Sequence, residues 1–109
     1  MNNLKITNMA MNGRMPFEHK LNEKEINNLI MNGALGWMNI QEKPMVISID
    51  IEKEGLNARG KRKKIHVSLW PTGAIIIVGI TKKKEADEIY EIVFNEIKKL
   101  CPKILKNVH

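Results

Sequence analysis

WPTGAIIIVG, Trp70–Gly79, decides the fold. An aromatic residue, a proline and a turn glycine stand directly before a run of branched apolar residues, and a second glycine closes the run. Pro71-Thr72-Gly73 suits a tight turn, with proline pre-setting one backbone angle and glycine free to adopt the rarer ones. Upstream, KIHVSLW at 64–70 alternates, with Ile65, Val67 and Leu69 on one side and His66, Ser68 and Trp70 on the other. Downstream, AIIIVGI reads as a second strand, so the stretch is the bend of a β-hairpin. One of only two tryptophans in the chain therefore sits at a bend rather than in a core.

Working outward, MVISIDIE at 45–52 alternates strictly, with Ile47, Ile49 and Ile51 on one face and Val46, Ser48 and Asp50 on the other. The segment EGLNARGKRKK between this strand and the next is turn-like and basic. Residues 4–11, LKITNMAM, predict a first strand, and Asn12-Gly13 marks a turn or break after it. Asn22 is a helix N-cap with Glu25 at the capping-box position, and Ile26, Leu29 and Ile30 follow at helical spacing to about Met31. Residues 34–44, with Gly36 and Pro44, favour an irregular connection carrying Trp37. Ala86, Ile89, Val93, Ile97 and Leu100 form a helical stripe from about 83 to 100, ended before Pro102.

The order is strand, helix, three hairpin-linked strands, helix. One antiparallel sheet with both helices on a single face buries every apolar stripe, which is an α+β fold. The other face then carries Val46, Ser48, His66, Ser68, Trp70, Ile76 and Val78, with no helix left to cover it. A sheet surface of that kind is either an interface or an aggregation liability.

Composition bounds the function classes. The chain of 109 residues makes one domain, and 43% hydrophobic with 28% charged residues describes an ordinary globular chain. A formal charge of +6 suits a polyanionic partner, although many small basic proteins bind none. The single cysteine, Cys101, excludes an internal disulfide and any cysteine-built zinc site, and fits a reducing compartment. No apolar run approaches the roughly 20 residues that span a bilayer, and polar residues interrupt MNNLKITNMAMNG throughout. The expectation is a soluble intracellular protein with no membrane partner.

This ordered set resembles one lobe of the TATA-box-binding protein family. The family places an aromatic, a spacer, Ser or Thr, then Gly before a strand that ends in a Thr-Gly-like pair. Here that reads Trp70, Pro71, Thr72, Gly73, AIIIV, Gly79. The helix KKKEADEIYEIVFNEIKKL follows as in the family, LNEKEINNLIMNG at 21–33 is similar to the first helix of the repeat, and Asn8-Met9-Ala10 stands for the family's Asn-x-Val. The likeness spans about residues 4–100, leaving 101–109 as a C-terminal tail.

The resemblance implies a single lobe with a curved sheet, its concave face lying on the minor groove of A·T-rich double-stranded DNA. It implies that Asn8, Ala10, Ser68, Trp70, Thr72, Ile76 and Val78 meet DNA, with Asn8 bonding bases and Trp70 wedging into a base step. A hairpin tip that reaches between base pairs would explain a tryptophan at a bend. The minor groove offers few donors and acceptors, so an apolar face loses little by covering it. The family carries two lobes per chain and this chain one, which implies a homodimer joined near the first strand, or a second lobe on another chain. Basal transcription factors are further implied partners, and the place of action is with the genome.

The chain departs from the family pattern where Pro44 or Met45 replaces a second wedging phenylalanine, Asp50 an arginine, and Ala74 a lysine. A protein-interaction module without DNA bending is therefore an alternative, as is an accessory domain that grips nucleic acid for an enzyme in trans. The plain alternatives for Trp70 are a partly buried hairpin aromatic packing on its own sheet and a protein–protein contact. Arg59, Lys61, Arg62, Lys63 and Lys64 are either a solvated hairpin tip or phosphate contacts. His19, His66 and His109 show no ligand spacing, and neither a nucleophile–base pair nor a phosphate-binding glycine loop is evident. No metal, no cofactor and no enzyme activity are expected.

Overall fold

The computed structural model describes residues 9–43, 45–56 and 62–106. The elements are β1 Met9–Arg14, α1 Glu23–Asn32, β2 Met38–Glu42, β3 Met45–Leu56, β4 Arg62–Leu69, β5 Ala74–Ile80 and α2 Lys83–Leu100, followed by a 3-10 turn at Pro102–Ile104. The strands form one antiparallel sheet in the order β1-β5-β4-β3-β2. This is the α+β fold expected, with β1 and β2 at the two edges.

The alternation read from sequence sets the layers. Ile47, Ile49, Ile65, Val67, Leu69, Ile75 and Ile77 are buried in one cluster with Ile26 and Leu29 of α1 and Ala86, Ile89, Val93 and Ile97 of α2. Each such side chain, fully buried, contributes roughly 1.5–3 kcal/mol. α1 starts where its cap dictates: Asn22 Oδ1 accepts from the Glu25 N–H at 2.7 Å, and Glu25 Oε1 accepts from the Asn22 N–H at 2.9 Å. α2 ends at Leu100, before Pro102, which cannot continue it.

Four expectations are corrected. Asn12-Gly13 does not break the first strand, because both residues pair with β5, opposite Ile76 and Ile75. Residues 34–44 are not wholly irregular. They supply β2, paired to the outer side of β3 with a register shift between Asn39 and Gln41. Four hairpin-linked strands, not three, therefore follow α1. Of the tail expected at 101–109, residues 101–106 pack back onto the domain. Ile104 is fully buried, Phe17 bridges Leu105, and the Lys106 N–H donates to the Pro16 carbonyl at 2.8 Å.

Trp37 is a core residue, 2% exposed, held where the chain enters β2. Its loop is anchored by Glu96 of α2, whose Oε1 accepts from the Ala34 N–H at 3.0 Å and whose Oε2 accepts from the Leu35 N–H at 3.1 Å. The carboxylate thereby satisfies two of the donors left over beyond the end of α1.

Candidate nucleic-acid interface

The β4–β5 turn is closed by two bonds, from the Trp70 N–H to the Ala74 carbonyl and from the Gly73 N–H to the Trp70 carbonyl, both 2.9 Å. Gly73 has φ of 98°, and a Cβ there would lie 2.8 Å from the Met15 carbonyl oxygen. No other residue fits that corner. Gly79 is the extra residue of a bulge, since Met9 pairs with Ile80 but Ala10 with Val78, and its φ is 94°.

The register arranges the open face in rows across the sheet. One row is Met38, Ser48, Ser68, Ile76 and Asn12; the next is Asp50, His66, Val78 and Ala10. Glu52 and Lys64 pair beyond these, and Ala74 faces Arg14 at the opposite end. Neither α1 nor α2 buries its apolar stripe here; both stripes belong to the core on the other side. Ala10 is exposed, Ser68 and Ile76 are half-buried, and Val78 and Met38 are exposed at 39% and 67%. Of the proposed DNA-facing set, Ala10, Ser68, Ile76 and Val78 thus share this surface. Trp70 and Thr72 lie in the turn at its margin, Trp70 half-buried and Thr72 exposed.

The surface is less open than alternation alone predicts. Val46 and Ser48 are buried, not exposed. Val46 stands outside the main core cluster, across from Gln41 and one step past the Ile47–Leu69 pair. Trp70 is half-buried, so part of the residue is shielded from solvent by the protein itself.

Asn8, Arg59 and Lys61 lie outside the described residues, as does Pro44. Arg62 and Lys63 belong to β4, and Lys64 is exposed at the far end of the open face. The sequence reading overlooked Arg14, exposed at the other end, where its Nη1 donates to the Thr72 carbonyl at 3.5 Å. Only the β1–β5 register reveals this, by setting Arg14 opposite Ala74.

A hydrogen-bond chain also emerges that sequence did not suggest. His66 Nδ1 lies 2.8 Å from Asp50 Oδ1, and Ser68 Oγ lies 3.4 Å from His66 Nε2. Hydroxyl, imidazole and carboxylate stand in the order of a hydrolytic triad. Ser68 lies mid-sheet, however, between β3 and β5, where neighbouring backbone N–H groups are engaged in the ladders. Oxyanion donors of the kind acyl transfer needs are therefore not gathered beside it. Among the described residues, no group of three His, Cys, Asp or Glu is placed to hold a metal ion, and no helix is long and apolar enough to cross a membrane.

No family model matches the chain, and neither the curated proteins nor the solved structures contain a match to it.

Proposed function

We propose that the open sheet face binds the minor groove of A·T-rich duplex DNA and that the chain acts in transcription initiation as half of a two-fold saddle. The observation that carries this reading is a sheet face on which neither α1 nor α2 buries its apolar stripe. Its middle offers small, hydroxyl and branched apolar side chains, namely Ala10, Ser68, Ile76 and Val78, and its two ends offer the cations Arg14 and Lys64. An apolar centre suits a groove floor poor in hydrogen-bonding groups, and flanking cations suit phosphates. Trp70 and Thr72 stand at the hairpin end, where the unburied part of the indole can meet a base step.

The sheet order supports pairing through β1. Its side away from β5 carries no partner strand among the described residues. Two copies joined antiparallel along that side would make one sheet of twice five strands, with a Trp70 turn in each half. A symmetric pair of this kind is the commonest form of oligomer.

Selection of bound sequences from a random duplex pool tests the reading. Enrichment of short A·T-rich sites is expected, with affinity falling steeply as salt rises because phosphate contacts release counterions. Recovery of no duplex at low salt overturns it. Light scattering on the eluting protein tests the pairing, and a monomer at high concentration removes it.

A further inference from the structure

We infer that the groove beside β1, between Gly13 and Tyr90, is the socket for Met11 of a second copy of this chain, which centres the paired edges on Asn12. The inference rests on the pairing through β1 proposed above and supplies its register and the residues that select it.

The backbone sets the first condition. An antiparallel ladder alternates residues whose N–H and C=O groups both point at the partner strand with residues whose groups both point away. The Met15 N–H donates to the Gly73 carbonyl at 2.7 Å, one step past the Arg14–Ala74 pair. Met15, Gly13 and Met11 therefore turn their backbone groups to β5, and Ala10, Asn12 and Arg14 turn theirs to the open edge. The Arg14 carbonyl accepts from the Tyr90 hydroxyl at 2.9 Å, and its second lone pair can still take a bond from another strand.

The side chains set the second condition. Met11 and Gly13 stand opposite Ile77 and Ile75, which belong to the core, so their side of β1 faces the helices. Beside Gly13 runs a groove of about 260 Å3, walled by Ile75, Ala86, Asp87 and Tyr90. A Cβ added at Gly13 would meet Ile75 Cγ2 at 3.4 Å, an ordinary contact, so the described residues leave the space over this glycine unfilled.

One register meets both conditions. A two-fold axis normal to the sheet keeps the helices of both copies on one side, and residues standing opposite each other then share a face. Centred on Asn12, the joint sets Asn12 against Asn12, Ala10 against Arg14, and Met11 against Gly13 of the other copy. All three outward-facing residues gain ladder partners, and each methionine lies over the other copy's glycine, twice by symmetry. Methionine is unbranched and polarisable, which suits an irregular gap. Arg14, the one charged residue of β1, faces alanine and not a like charge. Centring on Met11 sets two methionines together and carries Arg14 past the end of the strand. Centring on Gly13 sets glycine on glycine and does the same to Ala10.

Cysteine cross-linking under mild oxidation, with the oligomer followed by light scattering, tests the inference. Asn12→Cys should give a disulfide-linked dimer, since hydrogen-bonded opposed residues stand about 5.5 Å apart and disulfides span about 4.4–6.8 Å between Cα atoms. Ala10→Cys and Arg14→Cys should each fail alone and link when mixed. The unaltered chain, whose Cys101 is buried, should not link. Gly13→Leu fills the socket and Met11→Ala removes what enters it, and each should raise the dimer dissociation constant about tenfold or more. Circular dichroism checks that both variants stay folded; should Gly13→Leu fail to fold, the cross-linking pattern decides. A dimer that links through other positions, or that survives a folded Gly13→Leu undiminished, overturns the inference and leaves the pairing in place. A monomer at high concentration overturns the pairing and this inference with it.

Discussion

Glu96→Gln keeps the shape of a side chain only 9% exposed and removes its charge. The two carboxylate oxygens accept one bond each, from the Ala34 and Leu35 N–H groups at 3.0 and 3.1 Å. Bonds to a charged acceptor are worth about 1.5–3 kcal/mol each, against about 1 kcal/mol for a neutral one. The glutamine amide has one accepting oxygen, so one of the two N–H groups must face an NH2. Some loss is offset, since a neutral side chain costs less to bury than a carboxylate. The balance is a destabilisation of about 2–3 kcal/mol. Urea unfolding at neutral pH reads it directly, with Glu91→Gln on the exposed side of α2 as a control expected within about 0.5 kcal/mol of the unaltered protein. The amides of β2 should exchange faster than those of β4, because Glu96 anchors the loop that delivers Trp37 and β2. A midpoint within about 0.5 kcal/mol of the unaltered protein would refute the role given to the carboxylate.

Three further outcomes are expected. Gly73→Ala places a Cβ 2.8 Å from the Met15 carbonyl at φ 98°, so thermal unfolding should show a loss of at least about 2 kcal/mol. Asn22→Ala removes the Asn22 half of the capping box and should cost about 1 kcal/mol in urea unfolding, with Asn22→Asp close to neutral. Burial pushes the Cys101 thiol above its ordinary range, and the Glu25 carboxylate adds to this while a bond with Asn28 opposes it. The thiol should therefore react with a disulfide reagent far more slowly in the folded protein than in urea. The unfolded chain ionises first, so this thiol's contribution to stability is complete below about pH 8.5 and declines above it. Equal thiol reactivity in both states would show that Cys101 is not enclosed.

The layers were legible because their signal is local. Strict alternation in 45–52 and 64–70, the Asn22–Glu25 capping box and the stripe from Ala86 to Leu100 each fix one element without reference to the rest. β2 was not legible, because all five of its residues are exposed and no stripe marks it. It is a strand only because β3 offers an edge to pair with, and that is a fact of tertiary structure. Asn12-Gly13 misled for the same reason: β5 supplies ladder partners that override the local turn preference. At the site, periodicity placed Ser68, Ile76 and Val78 on one face, whereas Arg14 and the Asp50–His66 pair depend on which residues stand opposite each other. The burial of Val46 and Ser48 also lay beyond a two-sided reading, because alternation assigns a face but not what lies over it.

The two rims of the sheet are not equivalent. β2, with the register shift between Asn39 and Gln41, presents an irregular outer border that a further strand would have to follow out of step. Around Asn12 and Gly13, β1 follows β5 residue for residue and presents a more regular border. If chains join like to like along the regular rim, each union uses up the surface that made it and leaves only the uneven rims outermost. Growth then halts at a closed pair instead of running on into a fibre.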